Sequence, residues 1–397
     1  MKTKILALAL ATGLFFNSCS SSDDSTPVTP PATGEITGPI TANKTYAYGN
    51  YTLKGIVKIN SGVTVTFDAG STITIDKATG DNALVVLNGG KLIINGTADK
   101  PVVFTEKSKV PGSWGGIIMY GDAPAKVAGG GTSSTSEDGN NISYGGSNAT
   151  HNGGSLNYVR VEYAGSKLAD GNKENNAFTF YSVGSGTTLD HLVAYKGADD
   201  GFEFFGGTAS MTNAISYGNT DDSFDWQDGW QGQANTNWYA YQTGKGNYGM
   251  EIEASANDNA FGPKVSNITL KRESTNVPEG ADNQVDAFQF KREGNGEYSN
   301  IVVDGYGNFT VPNSTTTYQG AVVSILDAAT NDHQVKTSKI KILNIKISNT
   351  TNIIPIAGAS TFTVAFPTGT FTPSSTATGA SLTAGAWATV DGVSLIK

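Results

Sequence analysis

Between Asn175 and Phe290 the chain repeats one short alternation of apolar and polar residues. It reads Asn-Ala-Phe-Thr-Phe at 176–180, Asp-Gly-Phe-Glu-Phe at 200–204 and Asp-Ser-Phe-Asp-Trp at 222–226. It loosens to Tyr-Gly-Met-Glu-Ile at 248–252 and returns as Asp-Ala-Phe-Gln-Phe at 286–290. Alternation with period two predicts a strand with one buried and one outward face. Recurrence every ~22 to 26 residues, with a longer last step that leaves room for an insertion, predicts a solenoid of stacked coils. Phe202, Phe204, Phe224, Trp226, Phe288 and Phe290 are then core residues, and Thr179, Glu203, Asp225, Glu251 and Gln289 face outward. Equivalent residues of successive coils lie about 4.8 Å apart, so Glu203, Asp225 and Glu251 are predicted to form an acidic ladder. Two unit charges at that spacing repel by about 3.5 kcal/mol at an effective dielectric near 20. Such a ladder calls for a bound cation, a shared proton or a basic partner.

Alternating runs extend the pattern in both directions. Residues 51–59, 63–67, 71–76, 83–87, 91–95 and 102–105 read as strands of the first coils, which are expected to cap the open end. A second recurring strand covers 157–161, 191–195, 213–217, 237–241, 267–271, 300–304 and 344–348. Six of its copies open with Asn157, Asn213, Asn237, Asn267, Asn300 and Asn344, and His191 fills the remaining slot. Stacked amides of this kind predict a hydrogen-bonded ladder at a turn, with a structural role. Residues 122–154 are rich in Gly, Ser, Thr and Asn and read as a long surface excursion, either functional or a tolerated insertion. Beyond Tyr306 the period loosens: 321–326 and 339–347 are clear strands, and 361–366 and 388–396 are assigned to the last coils and a C-terminal cap.

Composition agrees with many turns and short strands. Gly occurs 49 times in 397 residues and charged residues make up 15%. A net charge of −9 argues against nucleic acid as a partner and suits cations, basic groups or neutral glycans. The three histidines, His151, His191 and His333, are scattered, and Cys19 is the only cysteine, which leaves no disulfide framework and no cysteine zinc site. The chain is read as a monomer.

Cys19 closes a start with a different character. Lys2 and Lys4 precede an apolar run at 5–16 that is too short to span as a stable helix. The Leu-Phe-Phe-Asn-Ser-Cys sequence at 14–19 resembles the lipobox of bacterial lipoproteins, which implies a signal peptide at 1–18 and lipidation at Cys19. Asp23-Asp24 after Ser20–Ser22 resembles the surface-export signal of Bacteroidetes lipoproteins, and Asp24-Ser25-Thr26 fits the short O-glycosylation pattern of that phylum. These resemblances imply a lipid anchor in the outer membrane, facing outward. The Pro-, Thr- and Ser-rich stretch at 19–40 reads as a flexible tether before a single domain at 41–397.

Within that domain four segments resemble a group of Bacteroidetes β-helix lipoproteins. They are Gly-Thr-Ala-Asp-Lys-Pro at 96–101, the Gly-Ser-Trp-Gly-Gly run at 112–121, Asp-Asp-Gly-Phe-Glu-Phe-Phe-Gly-Gly-Thr at 199–208 and Asp-Asp-Ser-Phe-Asp-Trp-Gln-Asp-Gly-Trp at 221–230. The resemblance covers roughly residues 45–300. It implies an all-β, right-handed parallel β-helix, pectate-lyase-like in the broad sense, and assigns no particular reaction.

Three chemistries fit the acids. Asp199, Asp200, Asp221 and Asp222 are paired at turns one coil apart and could supply calcium with carboxylate oxygens. Glu203, Asp225 or Glu251 could act in glycoside hydrolysis: adjacent coils give about 5 Å, in the retaining range, and alternate coils about 9.6 Å, near the upper end of the inverting range. Polysaccharide lyases on this fold, by family analogy, use calcium with a Lys or Arg base, and Lys291 and Arg292 are the nearest candidates. The plain alternative is that these Asp residues are turn formers. Trp230, Trp238 and Tyr239 form an aromatic group beside the acids, a candidate shelf for a sugar ring, with core filling as the alternative. No Ser-His-Asp arrangement, P-loop or dinucleotide fingerprint stands out. The candidate functions are therefore an extracellular glycan-binding or adhesion module stabilised by calcium, a polysaccharide lyase or glycoside hydrolase, and an architectural surface protein.

Overall fold

The computed structural model describes residues 30–168, 174–259, 262–278, 284–311, 313–354 and 362–397. The expected signal peptide and Cys19 lie outside the described residues. From Ala32 onward the chain forms one unit.

Each coil begins on what becomes the site face. Its strands are Ile56–Ile59, Ala83–Val86, Ile117–Tyr120, Phe178–Tyr181, Phe202–Phe205, Phe224–Gln227, Met250–Ile252, Gln284–Phe290 and Thr317–Ile325, stacked in parallel in that order. The chain then turns onto two further faces. In early coils these are separate strands, such as Lys91–Asn95 and Val102–Glu106, joined by the turn at 96–101. From Gly154–Glu162 onward one long strand serves both, its first half pairing with Lys91–Asn95 and its second half with Val102–Glu106. The fold is the expected all-β parallel β-helix, with the right-handed crossover that chain chirality favours.

The residue that replaces the early turn explains the recurring asparagine. Tyr158, His191, Asn213, Asn237, Asn267, Asn300 and Asn344 all have φ between 52° and 57°. This left-handed conformation bends the strand at one residue, and among L-residues asparagine tolerates it well. Asn237 Nδ2 donates to Asn213 Oδ1 at 2.9 Å, and Asn300 Nδ2 to Asn267 Oδ1 at 2.7 Å. The expected amide ladder is present in part: these two pairs form, but Asn267 Nδ2 donates to Thr236 Oγ1 at 2.9 Å and Asn213 Nδ2 to Asp190 Oδ1 at 2.7 Å, so the stack is interrupted. Asn157 pairs with Asp190, so the bend in the first long strand is Tyr158 rather than Asn157.

Inside, aromatic rings stack coil upon coil. Phe178 and Phe202 lie 5.1 Å apart between ring centroids, Phe202 and Phe224 5.5 Å, and Phe180 and Phe204 4.8 Å. Each such pair adds about 0.5–1.5 kcal/mol beyond area burial. Trp226, read as core, is 1% exposed.

Three segments depart from expectation. Ala32–Thr37, assigned to the tether, is a strand in parallel register with Gly49–Lys54, and its Ile36 is fully buried. The excursion at 122–154 folds over the site face through a hairpin of Ser134–Thr135 and Ser143–Tyr144. At the other end, Phe371–Pro373 adds a last rung beside Ile340–Ser348. Residues 362–366 form no strand, and Thr389–Val390 pairs antiparallel with Val393–Ser394 instead of joining a coil.

Candidate functional site

The predicted acidic ladder exists. Glu203 is in register with Thr179 and Asp225, Asp225 with Glu251, and Glu251 with Gln289, on adjacent parallel strands. The neighbouring positions Phe202, Phe224 and Met250 point into the core, so period two puts the acids on the outer side.

Outer does not mean exposed. Glu203 and Asp225 each retain only 8% of their accessible surface. An outer aromatic layer stands beside them: Tyr120 stacks on Tyr181 at 5.0 Å, Tyr181 on Phe205 at 4.4 Å, and Tyr144 of the excursion packs on Tyr181 at 4.9 Å. The excursion is held down by polar contacts. Tyr144 Oη donates to Asp228 Oδ2 at 2.5 Å, Lys126 N to Asp228 O at 2.8 Å, and Asn257 Nδ2 to Val127 O at 2.9 Å. Composition alone left this segment open between functional loop and tolerated insertion. Folded, it is the cover of the site.

Under that cover the polar groups are unevenly satisfied. Glu203 accepts from Asn176 Nδ2 at 2.5 Å and from Gln227 Nε2 at 3.2 Å. Asp225 Oδ1 is buried without a hydrogen-bond partner, and so is Asn176 Oδ1. Glu251 pairs with Lys291 Nζ, which also lies 3.7 Å from Glu253 Oε2, while Arg292 Nη1 stands 3.5 Å from Glu253 Oε1. Burial, followed by repulsion from Asp225, pushes the Glu203 carboxyl well above the usual carboxylate range. Burial and then Glu251 do the same to Asp225. Burial pulls Lys291 down, but the Glu251 and Asp225 carboxylates more than offset it, and the net shift is upward. Lys291 therefore stays charged, which suits a counter-ion better than a proton-accepting base.

The paired aspartates overlap in role, and Asp200 serves in two. Asp199, Asp200 and Asp221 bring one oxygen each within 4.8 Å of one another, as do Asp200, Glu203 and Asp225. Asp222 belongs to neither group. Its Oδ1 accepts from Tyr248 N at 2.7 Å, just as Asp200 Oδ1 accepts from Asp222 N at 2.8 Å. Each of these carboxylates caps the backbone of the following coil, which is the turn-former role. The all-oxygen donor set, with Asp225 Oδ1 buried and unpartnered, suits a hard cation such as calcium.

The aromatic shelf is corrected. Trp230 is 1% exposed, stacks on Phe204 at 4.3 Å and donates its indole N–H to Ala209 O at 3.0 Å. Trp238 is fully buried on Phe224 at 4.5 Å. Tyr239 faces outward but is covered by the C-terminal segment and is 3% exposed. None of the three offers a ring face to a sugar. The Gly- and Gln-rich surroundings of Trp230 suggest an exposed loop, but the turn at Asp228 and Gly229, with φ of 52° and 69°, carries its ring back into the core.

The open space lies between cover and sheet. A cleft of about 220 Å³ is bounded by Thr135, Glu137 and Tyr144 of the excursion and by Gln227, Asp228 and Arg292 of the coils. Arg292 enters it from a turn in which Arg292 and Glu293 both have positive φ, 48° and 69°. Non-glycine residues in this conformation cost on the order of 1–3 kcal/mol each and need external support. Here Arg292 N donates to Asp327 Oδ2 at 2.7 Å and Glu293 N to Thr330 Oγ1 at 2.8 Å. Sequence reading missed Asn176, Glu137, Gln227 and Glu253. Asn176 could have been found, because it fills the slot that Asp200, Asp222 and Asp286 fill in other copies of the phrase.

A parallel β-helix with a covered row of carboxylates on one lateral face is the class these features define. Residues 35–390 match the pectate-lyase-like β-helix domain family, and the chain belongs to it. No curated protein and no solved structure matches the chain. A domain of this kind fits a glycan-binding or polysaccharide-degrading role.

Proposed function

We propose that the protein is a lipid-anchored lipoprotein of the bacterial outer membrane, of the Bacteroidetes kind, whose β-helix faces outward and binds extracellular glycan in the cleft beneath the 122–154 cover. Calcium bound by Asp200, Glu203 and Asp225, with Asp199 and Asp221 beside them, neutralises the acids, and Gln227, which lines the cleft and donates to Glu203, joins that cluster to it. The observation that carries this is the in-register stack of buried carboxylates, one of which has an unpartnered oxygen. Unneutralised charge in such a place is strongly unfavourable. Arg292 and Gln227, which line the cleft, are the groups available to sugar substituents.

A polysaccharide-degrading enzyme is the second reading, favoured by a specific feature. Glu203, whose carboxyl burial shifts upward, lies one rung from Asp225 and two from Glu251, the arrangement of an acid with a second carboxylate. With Lys291 tied to Glu251, a lyase route would fall to Arg292 as the base.

A glycan screen with product detection separates the two. Retention without turnover supports binding. New reducing ends support a glycosidase and new unsaturated ends a lyase. Glu203→Gln and Asp225→Asn would abolish turnover while sparing the fold if the residues are catalytic. Absence of both retention and product across the screen would refute the glycan reading and leave an architectural surface protein. Cys19→Ser tests the anchor: the variant is expected in the soluble fraction, and continued membrane association would contradict lipidation.

A further inference from the structure

Coils of a solenoid touch only their neighbours, so its stability is a sum of local terms and its ends can open independently. The C-terminal segment breaks that rule. After Phe371–Pro373 it leaves the coil path and runs along the outside of the solenoid, back towards the N-terminal end. Thr378 N donates to Asn300 Oδ1 at 2.9 Å, Ala380 N to Thr269 Oγ1 at 2.9 Å and Ser381 N to Asn237 Oδ1 at 3.2 Å. These three contacts belong to three successive coils. Trp387 N then reaches Ala98 O at 3.0 Å, and Arg160 Nη1 donates to Ala386 O and Thr389 O, each at 3.0 Å. The Trp387 ring meets His191 edge-on at 4.8 Å, and His191 stacks on Tyr158 at 4.1 Å. Lys109 pairs with Asp391 at 2.6 Å. The chain finally doubles back, and Lys397 O accepts from Tyr239 Oη at 3.0 Å and Lys271 Nζ at 2.6 Å.

The coils are built to receive this segment. Val193, Ile215 and Tyr239 form one column on adjacent strands and point away from the coil interior. An outward apolar column on a solenoid is anomalous unless something covers it. Trp387, Ala388, Val390 and Leu395 do so. The bend-site asparagines Asn237 and Asn300 are used twice, once within the ladder and once as acceptors for the crossing chain.

We propose that residues 374–397 are a longitudinal strap that couples distant coils, so that the molecule from Val102–Glu106 to Ile340–Ser348 opens as one cooperative unit. The 122–154 cover also bridges non-neighbouring coils, from Lys126 and Val127 to Asp228 and Asn257, but the strap reaches further along the axis, from Ala98 and Lys109 to Asn300.

Hydrogen exchange of the full-length protein across a denaturant series tests this, with Val102–Glu106 and Ile340–Ser348 as reporters for the two ends. In the wild type both reporters should lose protection at one midpoint. In the double variant Trp387→Ala, Arg160→Ala the N-terminal reporter should lose protection first, by about 100-fold in exchange rate at low denaturant, the scale expected for removing a buried Trp. Val265→Ala, a core change in a middle coil, should lower both midpoints together. Separate midpoints in the wild type would overturn the proposal. So would coincident midpoints in the double variant while the amides of Trp387 and Leu395 exchange freely, because the strap would then be detached without consequence.

Discussion

Asp286 shows at the scale of one residue how this protein handles charge. It fills the same slot of the repeated phrase as Asp200 and Asp222 and is 1% exposed. Burial, against smaller pulls from Ser324, the Ala321 amide and Arg272, raises its pKa to about 7. The sign follows directly. A carboxyl whose pKa is higher in the folded than in the unfolded chain contributes stability below its ordinary pKa, and that contribution is lost as pH rises through the folded value. Wild-type stability is therefore expected to fall between about pH 4 and pH 7, with up to about 4 kcal/mol attributable to this group. Asp286→Asn should flatten that fall in urea titrations followed across the range. An unchanged slope would show that Asp286 is ionised in the folded state. The bend residues make a second residue-scale prediction. Asn237→Ala forces alanine into φ of 57° and removes the amide contact to Asn213, and should cost about 2–3 kcal/mol. Asn237→Gly should cost less, because glycine keeps the conformation. Equal losses in the two variants would mean that the backbone bend is unstrained.

Strands were legible at the scale of elements because an alternation of apolar and polar residues is a local signal. Phe202, Phe224 and Phe288 lie where period two puts them, and Glu203, Asp225 and Glu251 follow by parity. The burial of Trp230 was not legible because its neighbours are Gly- and Gln-rich like those of a loop, and the left-handed turn at Asp228 and Gly229 that redirects it leaves no period-two signal. The cover was illegible for another reason. Its polar, glycine-rich composition is that of any surface loop, and what holds it is long-range: Tyr144 to Asp228 and Asn257 to Val127. The same holds for the C-terminal strap, whose apolar residues resemble those of a last coil. Replacing residues 133–144 with a short glycine-serine linker should leave the β-helix folded, judged by circular dichroism. It should also bring Glu203 and Asp225 closer to ordinary carboxylate titration, measured by carboxyl-resolved NMR, because the burial that shifts them would be relieved. Persistence of the raised values in that variant would place their cause in the coils rather than in the cover.

Across the whole molecule, two structures are laid on one solenoid. The cover closes the site face, and the strap binds the other side along the axis. Both arise from chain that does not take part in coil formation, and both turn outward-facing residues into buried ones. The acids thereby acquire an environment that an ordinary outer face of a β-helix would not give them. A net charge of −9 falls partly on this cluster, where Lys291 and Arg292 stand against Glu251 and Glu253 and Lys167 acts on Asp199. The divalent cation proposed for this cluster would offset the imbalance. Calorimetric melting of the wild type at neutral pH, with calcium and with chelator, tests this most directly, alongside the double variant Glu203→Gln, Asp225→Asn. Calcium at 100 times its dissociation constant should stabilise the wild type by about 2.7 kcal/mol, seen as a higher transition temperature, and should leave the double variant nearly unmoved. A wild-type transition that is the same in calcium and in chelator would contradict the proposal that these stacked carboxylates hold a cation.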